Sequence, residues 1–217
     1  MEERTLYGYW RSSAAYRVRI ALNLKKLDYQ QLSVNLIKNG GEQHHANFSA
    51  LNPSELVPVL IDGNLKLTQS LAIIEYLDEQ YPQFPLIPSE TEAKYRVKAL
   101  AQDIAIDIHP VNNLRILQYL AGELAVTDDQ KSQWYRHWIS VGFHSLEKKL
   151  SQTSGLYCEG NQLSLIDVCL APQVYNANRF KLDMSPFPII SVIHKNLSAH
   201  PAFIDALPEN QPDAVQV

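Results

Sequence analysis

Cysteine is scarce in this 217-residue sequence: Cys158 and Cys169 are the whole complement. They form neither a C-x-x-C pair nor a Cys/His zinc spacing, so the common redox and metal motifs are excluded and no metal is expected. Any thiol chemistry is then expected to come from a bound molecule. Long apolar runs are also missing. None reaches the roughly 18 residues that a spanning helix needs, so no membrane partner is expected. Positive charge has no surplus: 19 Lys+Arg against 23 Asp+Glu give a net charge of −4. A nucleic-acid partner would call for a basic face, so none is expected. The opening MEERTLYGYW carries acids where a secretory signal would carry a basic and then an apolar stretch, and cytoplasmic residence is the expectation. What remains is ordinary for a globular protein, with 46% hydrophobic and 19% charged residues in a length suited to one large domain or two small ones.

The first half alternates between strand and helix patterns. Thr5 to Tyr9 is β-branched and aromatic and predicts a strand. Ala14, Val18, Ala21 and Leu22 then fall at i, i+4, i+7 and i+8, one apolar helical stripe. Tyr29 to Val34 predicts a second strand, and residues 35–50 a loop with a short helix. Val57 to Ile61 and Leu65 to Leu67 flank Asp62-Gly63-Asn64 as a hairpin. Thr68-Gln69-Ser70 opens a helix with Ile73, Ile74, Leu77 and Tyr81 on its apolar side. Residues 81–89 (YPQFPLIPS) hold three prolines and predict a linker. Beyond it the pattern is helical. One long helix is expected from Glu90 to Leu120, kinked at Pro110. A second runs from Thr127 to about Leu150, with Trp134, Trp138, Val141 and Leu146 available for burial. Ser164-Leu165-Ile166-Asp167 resembles a capping box, and a shorter helix spans Pro188 to Leu197. The tail from Pro208 is polar and expected to be loose. The domains expected are therefore residues 1–82, α/β, and residues 90–217, all-α.

Two serines, Ser12 and Ser13, sit at the mouth of the first helix. A helix start offers free N–H groups and partial positive charge, so it favours an anion. Ser70 stands at a second helix start. Pro58 opens an otherwise good strand, as an edge strand or a cis peptide bond would allow. A cis proline would turn the backbone of Val57 outward as a short template for another peptide. Each feature singly has a plain reading as a cap or a strand end. Jointly they describe a site for a small anionic peptide.

These stretches resemble the zeta class of the glutathione transferase superfamily, the maleylacetoacetate isomerases. The resemblance spans essentially the whole chain. It is carried by Ser12-Ser13-x-x-Tyr16-Arg17-Val18-Arg19-Ile20-Ala21-Leu22, residues 34–41 (VNLIKNGG), Asn52-Pro53, Val57-Pro58-Val59-Leu60 and residues 69–77 (QSLAIIEYL). Residues 108–115 (IHPVNNLR) and 172–180 (PQVYNANRF) extend it through the second half. The resemblance implies a thioredoxin-like glutathione-binding domain of βαβ-α-ββα order, an all-α second domain and a homodimer. The implied activity is glutathione-dependent cis–trans isomerisation of a small dicarboxylate, maleylacetoacetate, in tyrosine and phenylalanine breakdown. Ser12 and Ser13 match the catalytic position, with the choice between them open. Gln43, Val57, Gln69, Ser70, His109, Asn113 and Arg115 match glutathione contacts. Arg179 matches a substrate-carboxylate site, and Arg11 is a further candidate there.

One departure stands out. The family often continues the two serines with Cys-Ser-Trp, whereas this chain has Ala14-Ala15-Tyr16. Side activities that use that cysteine are in doubt, and isomerisation carried by serine and glutathione is not. The alternative reading is a broad glutathione transferase acting on α-halo acids or peroxides. Tyr7 and Tyr9 are worse placed than the serines for catalysis. His44-His45 is expected to be solvated loop, Asp103/Asp107 an exposed face or a contact to the peptide's amine, and Trp134/Trp138 core.

Overall fold

The computed structural model describes residues 4–215. By its contacts the chain divides into two units: Met1–Pro85 with His200–Val217, and Leu86–Ala199.

In the first unit, β1 (Thr5–Gly8) leads into α1 (Ser13–Leu24), then β2 (Gln30–Ser33) and α2 (Ala46–Leu51). A hairpin of β3 (Val59–Asp62) and β4 (Leu65–Thr68) follows, then α3 (Ser70–Gln80). The sheet order is β2-β1-β3-β4, with β1 and β2 parallel and the other pairs antiparallel. This is the expected βαβ-α-ββα, a thioredoxin-like arrangement. On one side α1 packs against α3. Val18, Ala21, Leu22, Ile73, Ile74 and Leu77 of the expected apolar stripes are fully buried, while Ala14 and Tyr81, the residue after α3, are half-buried. A second cluster joins Tyr9, Trp10, Val34, Phe48, Val57 and Val59.

The strand directions decide where the site lies. β1, β2 and β4 end at one edge of the sheet, and β3 begins there. The segments that leave or enter at this edge carry Ser12, Gln43, Val57, Gln69 and Ser70.

The second unit is helical: α4 (Thr91–Gln102), α5 (Leu114–Gly122), α6 (Asp128–Leu150), α7 (Leu165–Arg179) and α8 (Pro188–Ser198). α7 is buried on nearly all sides, and α4 and α8 both pack on it. Its start is the capping segment read in the sequence. The Asp167 carboxylate is fully buried and accepts the Ser164 N–H (2.9 Å), the Ser164 hydroxyl (2.8 Å) and the Cys158 N–H (2.9 Å). Burial pushes this carboxyl up, and the hydrogen bonds oppose that shift.

Four expectations are corrected. The helix expected from Glu90 to Leu120 is two helices. A π turn at Asp103–Ile108 and a 3-10 turn at Pro110–Asn112 separate them, and Asn113 starts α5 afresh by accepting the Ile116 N–H. Pro110 has no N–H to continue the ladder. The buried face of α6 is Tyr135, Ile139, Phe143, Leu146 and Leu150, while Val141 is 51% exposed and Trp134 and Trp138 are half-buried. Trp134 lies at the flank of that face, where its Nε1–H donates to the Val111 carbonyl at 2.9 Å, and an indole packs on apolar surface without being fully enclosed.

The tail is not loose. After α9 (Pro201–Asp205), which packs on α1, the chain is held through Asp213. Its carboxylate accepts the Trp10 N–H (3.1 Å), the Gln31 amide (3.2 Å) and the Ser33 hydroxyl (2.8 Å). The buried Arg19 donates to the carbonyls of Ala206 and Trp10. The expected second domain of 90–217 therefore gives up its described residues from His200 onward to the first unit.

Two substitutions should separate these anchors by thermal unfolding. Asp167→Ala strands two buried N–H groups and is expected to cost about 3 kcal/mol or more. Asp213→Ala acts at a half-buried site and is expected to cost about 1–2 kcal/mol, lowering Tm by about 5 °C.

Candidate active site

The turn after β1 begins with a hydrogen bond from Ser12 N–H to the Tyr9 carbonyl (2.9 Å). Ser12 is the N-cap of α1, at φ −69° and ψ 116°, and its Oγ accepts the Ala15 N–H at 3.2 Å. The plain capping reading thus holds. It also leaves the hydroxyl proton available, since among the described residues Ser12 Oγ donates to nothing. Ser13, the first helical residue, is 8% exposed.

One turn further along α1, Arg17 is buried, and its Nε donates to Ser70 Oγ at 3.0 Å. The sequence reading did not single out Arg17 as a site residue, although it recurs four positions after Ser13 and so shares a helical face with it. This bond ties the second turn of α1 to the first residue of α3. Gln69, just before Ser70, has φ 68° and ψ 111°, outside the ordinary regions for a residue with a side chain. Such strain is held in place by its surroundings and is characteristic of ligand sites.

Val57–Pro58 is a cis peptide bond. Among the described residues the Val57 N–H and C=O make no hydrogen bond. The strand register, continued two residues from Val59↔Thr68, sets Val57 opposite Ser70. Gln43 is 6% exposed and its Oε1 is buried without a partner. Gly41 has φ 104°, and a Cβ there would lie 2.5 Å from Gln43 Nε2 and 2.6 Å from Oε1. Only glycine suits both that backbone and that closeness. His44 and His45 are exposed, as expected, and His44 also contacts Gln43 and Glu55.

The other candidates are more dispersed. The Arg11 guanidinium stacks 4.5 Å over the Trp10 ring. Tyr9 is packed in the core cluster and Tyr7 lies against Phe48, so neither is presented as the serines are. His109, Asn113, Arg115 and Arg179 belong to the second unit. His109 follows the π turn, Asn113 caps α5, Arg115 is exposed on it, and Arg179 ends α7 with its guanidinium 4.8 Å over the Phe180 ring. Phe180 in turn stacks on Tyr135 at 3.6 Å. Burial raises the Tyr135 hydroxyl to about 12, against the pull of Arg179. Asp103 is paired with Lys149 at 2.6 Å. Both cysteines are fully buried, and burial holds the Cys158 thiol well above its usual range, with Asp167 beside it adding to the shift. Neither offers a reactive thiolate.

A thioredoxin-like sheet whose one edge gathers two serine-led helix starts and an unpaired stretch of backbone is the architecture of glutathione transferases. The glutathione S-transferase, N-terminal domain family matches residues 2–79. The chain is 66% identical over 209 residues to the probable maleylacetoacetate isomerase of Vibrio cholerae, covering 96% of this chain and 97% of that one. Among solved structures, a maleylpyruvate isomerase described as a bacterial zeta-class glutathione S-transferase is 42% identical with a TM-score of 0.94, over 97% of this chain and 100% of that one. The maleylacetoacetate isomerase of Methylobacterium extorquens AM1, solved with malonate and glutathione bound, is 37% identical with a TM-score of 0.93, over 98% and 100%. The chain belongs to the zeta class of glutathione transferases, the family of the maleylacetoacetate isomerases.

Glutathione is the cofactor of this family, and the residues present fit it. The orphaned Gln43 Oε1, the unpaired Val57 backbone and the free Ser12 proton are the groups that a small peptide thiol would satisfy. Gly41→Ala should push the Gln43 amide out of place. Calorimetry is expected to show glutathione affinity reduced about tenfold, the loss of one well-placed buried hydrogen bond.

Proposed function

We propose that the protein catalyses the glutathione-dependent cis–trans isomerisation of maleylacetoacetate to fumarylacetoacetate, a step of tyrosine and phenylalanine breakdown. The observation that carries this reading is the Ser12 turn: a helix N-cap that accepts from its own helix and keeps a hydroxyl proton for a ligand. Its support is the 66% identity, across nearly the whole chain, to a probable isomerase of that substrate.

Bound glutathione supplies the thiolate whose reversible addition to the conjugated double bond permits rotation about it. Ser12 donates to the sulfur and, with the start of α1, favours its ionised form. Ser13 completes the same turn. The Val57 backbone pairs with the peptide's, Gln69 and Ser70 hold its γ-glutamyl end, and Gln43 meets an amide group. Arg17 keeps Ser70 in place. His109, Asn113 and Arg115 are assigned to glutathione as well, and Arg179 and Arg11 to the carboxylates of the dianionic substrate, for which a guanidinium is the suited partner. Homodimer assembly, as the family resemblance implies, and cytoplasmic residence, expected from the acidic opening of the sequence, are part of the reading. A second reading is favoured by the maleylpyruvate isomerase among the similar structures. Maleylpyruvate presents the same cis double bond between a carboxylate and a ketone, so the two substrates compared on one preparation decide between them.

Maleylacetone should turn over only with glutathione present, and equal turnover without it would contradict the proposal. Ser12→Ala is expected to lower kcat about a hundredfold or more, in the range of losing one positioned donor to a developing charge. Ser13→Ala is expected to do less. The reverse order would reassign the activating hydroxyl to Ser13.

A further inference from the structure

We propose that His44 decides which end of the Gln43 amide faces the bound peptide, and that protonating His44 reverses it. The inference rests on the glutathione reading and adds the chemical group that Gln43 meets.

Three groups stand in line. His44 Nδ1 lies 2.6 Å from Glu55 Oε2, and His44 Nε2 lies 3.0 Å from Gln43 Nε2. Glu55 reaches this position from a left-handed backbone, φ 54°. A carboxylate only accepts, so Nδ1 carries the proton and donates to Glu55. In the neutral ring Nε2 then accepts, and the Gln43 amide N–H is its donor. That leaves Oε1, buried and without a partner, as the atom offered to a ligand. An unpaired buried acceptor of this kind suits a peptide N–H, of which glutathione has two, and repels a carboxylate.

A second proton on the ring turns Nε2–H into a donor facing a donor. The amide must rotate, giving Oε1 to His44 and its NH2 to the ligand, where a peptide N–H can no longer be received. Gly41 leaves the space beside both amide atoms free of a side chain. The remaining charges near this turn are few. Glu42 is committed to the Asn35 N–H at 2.7 Å, and His45 is its other titratable neighbour in sequence. Of the elements packed against the turn, the 3-10 turn Lys38–Gly40 contributes Lys38, and α2 carries no titratable side chain.

The test is calorimetric affinity for S-methylglutathione, whose sulfur does not titrate, between about pH 8 and about pH 5.5, where histidines change charge. The wild-type protein is expected to bind about tenfold more weakly at the acid end, as one buried hydrogen bond is lost. His44→Gln supplies a carbonyl oxygen for the Gln43 N–H but no titrating group, so it should keep the alkaline affinity across the range. The His44 side chain is substantially exposed, at 54%, so this is a surface substitution. Identical profiles for wild type and His44→Gln, or tighter binding on acidification, would each overturn the inference. Failure of the wild-type protein to bind the probe at any pH would overturn the glutathione reading, and this inference with it.

Discussion

A buried arginine holds the site together. Arg17 rises from the second turn of α1 and donates to the hydroxyl of Ser70, the first residue of α3. The strand directions start both helices at one edge of the sheet, with their unpaired N–H groups and positive dipole ends available to one small ligand. A lysine could not stand in, because the planar guanidinium presents its donors in a fixed fork and is the more weakly hydrated cation. The apolar stripes that bury α1 against α3 set the two helices side by side, and Arg17 then fixes their starts.

On this frame the protein contributes no thiol of its own. Cys158 and Cys169 lie fully inside the helical unit, and burial keeps the Cys158 thiol protonated. Ala14 stands where relatives often carry a cysteine. On the proposed reading the sulfur comes with the ligand, and its ionisation falls to Ser12 and the helix start. The same edge of the sheet offers both senses of hydrogen bond. Ser12 gives a proton, Val57 gives and accepts, and Gln43 accepts. The C-terminal segment returns to this unit, and just before the serine turn Asp213 accepts the Trp10 N–H while Arg19 donates to the Trp10 carbonyl.

The strand and helix order of the first unit was legible because each element carries its own periodicity and each turn its own residues. The two serine-led starts and the unusual Val57–Pro58 bond were legible for the same reason. Arg17 lay in the open within the motif, but an arginine on a mostly apolar helix reads as solvated until its partner on another helix is known. His44 was missed in the same way: its meaning depends on Gln43 and on Glu55, eleven residues away. The break between α4 and α5 was half legible. Pro110 announced a disturbance, yet the choice of a π turn and a fresh cap at Asn113 depends on packing. The tail's docking had no local signal, since Asp213 meets partners near the start of the chain. The roles of His109, Asn113, Arg115 and Arg179 come from family resemblance rather than from local pattern.

The central claim is that Ser12 and the start of α1 keep a borrowed thiol ionised. Its most direct test is the ultraviolet titration of thiolate in bound glutathione, compared between the wild-type protein and Ser12→Ala. The account predicts that the bound thiol ionises about one to two pH units below free glutathione in the wild type, and that most of this difference disappears in the variant. A bound thiol that titrates like free glutathione, or one that is equally acidic in both proteins, would contradict it.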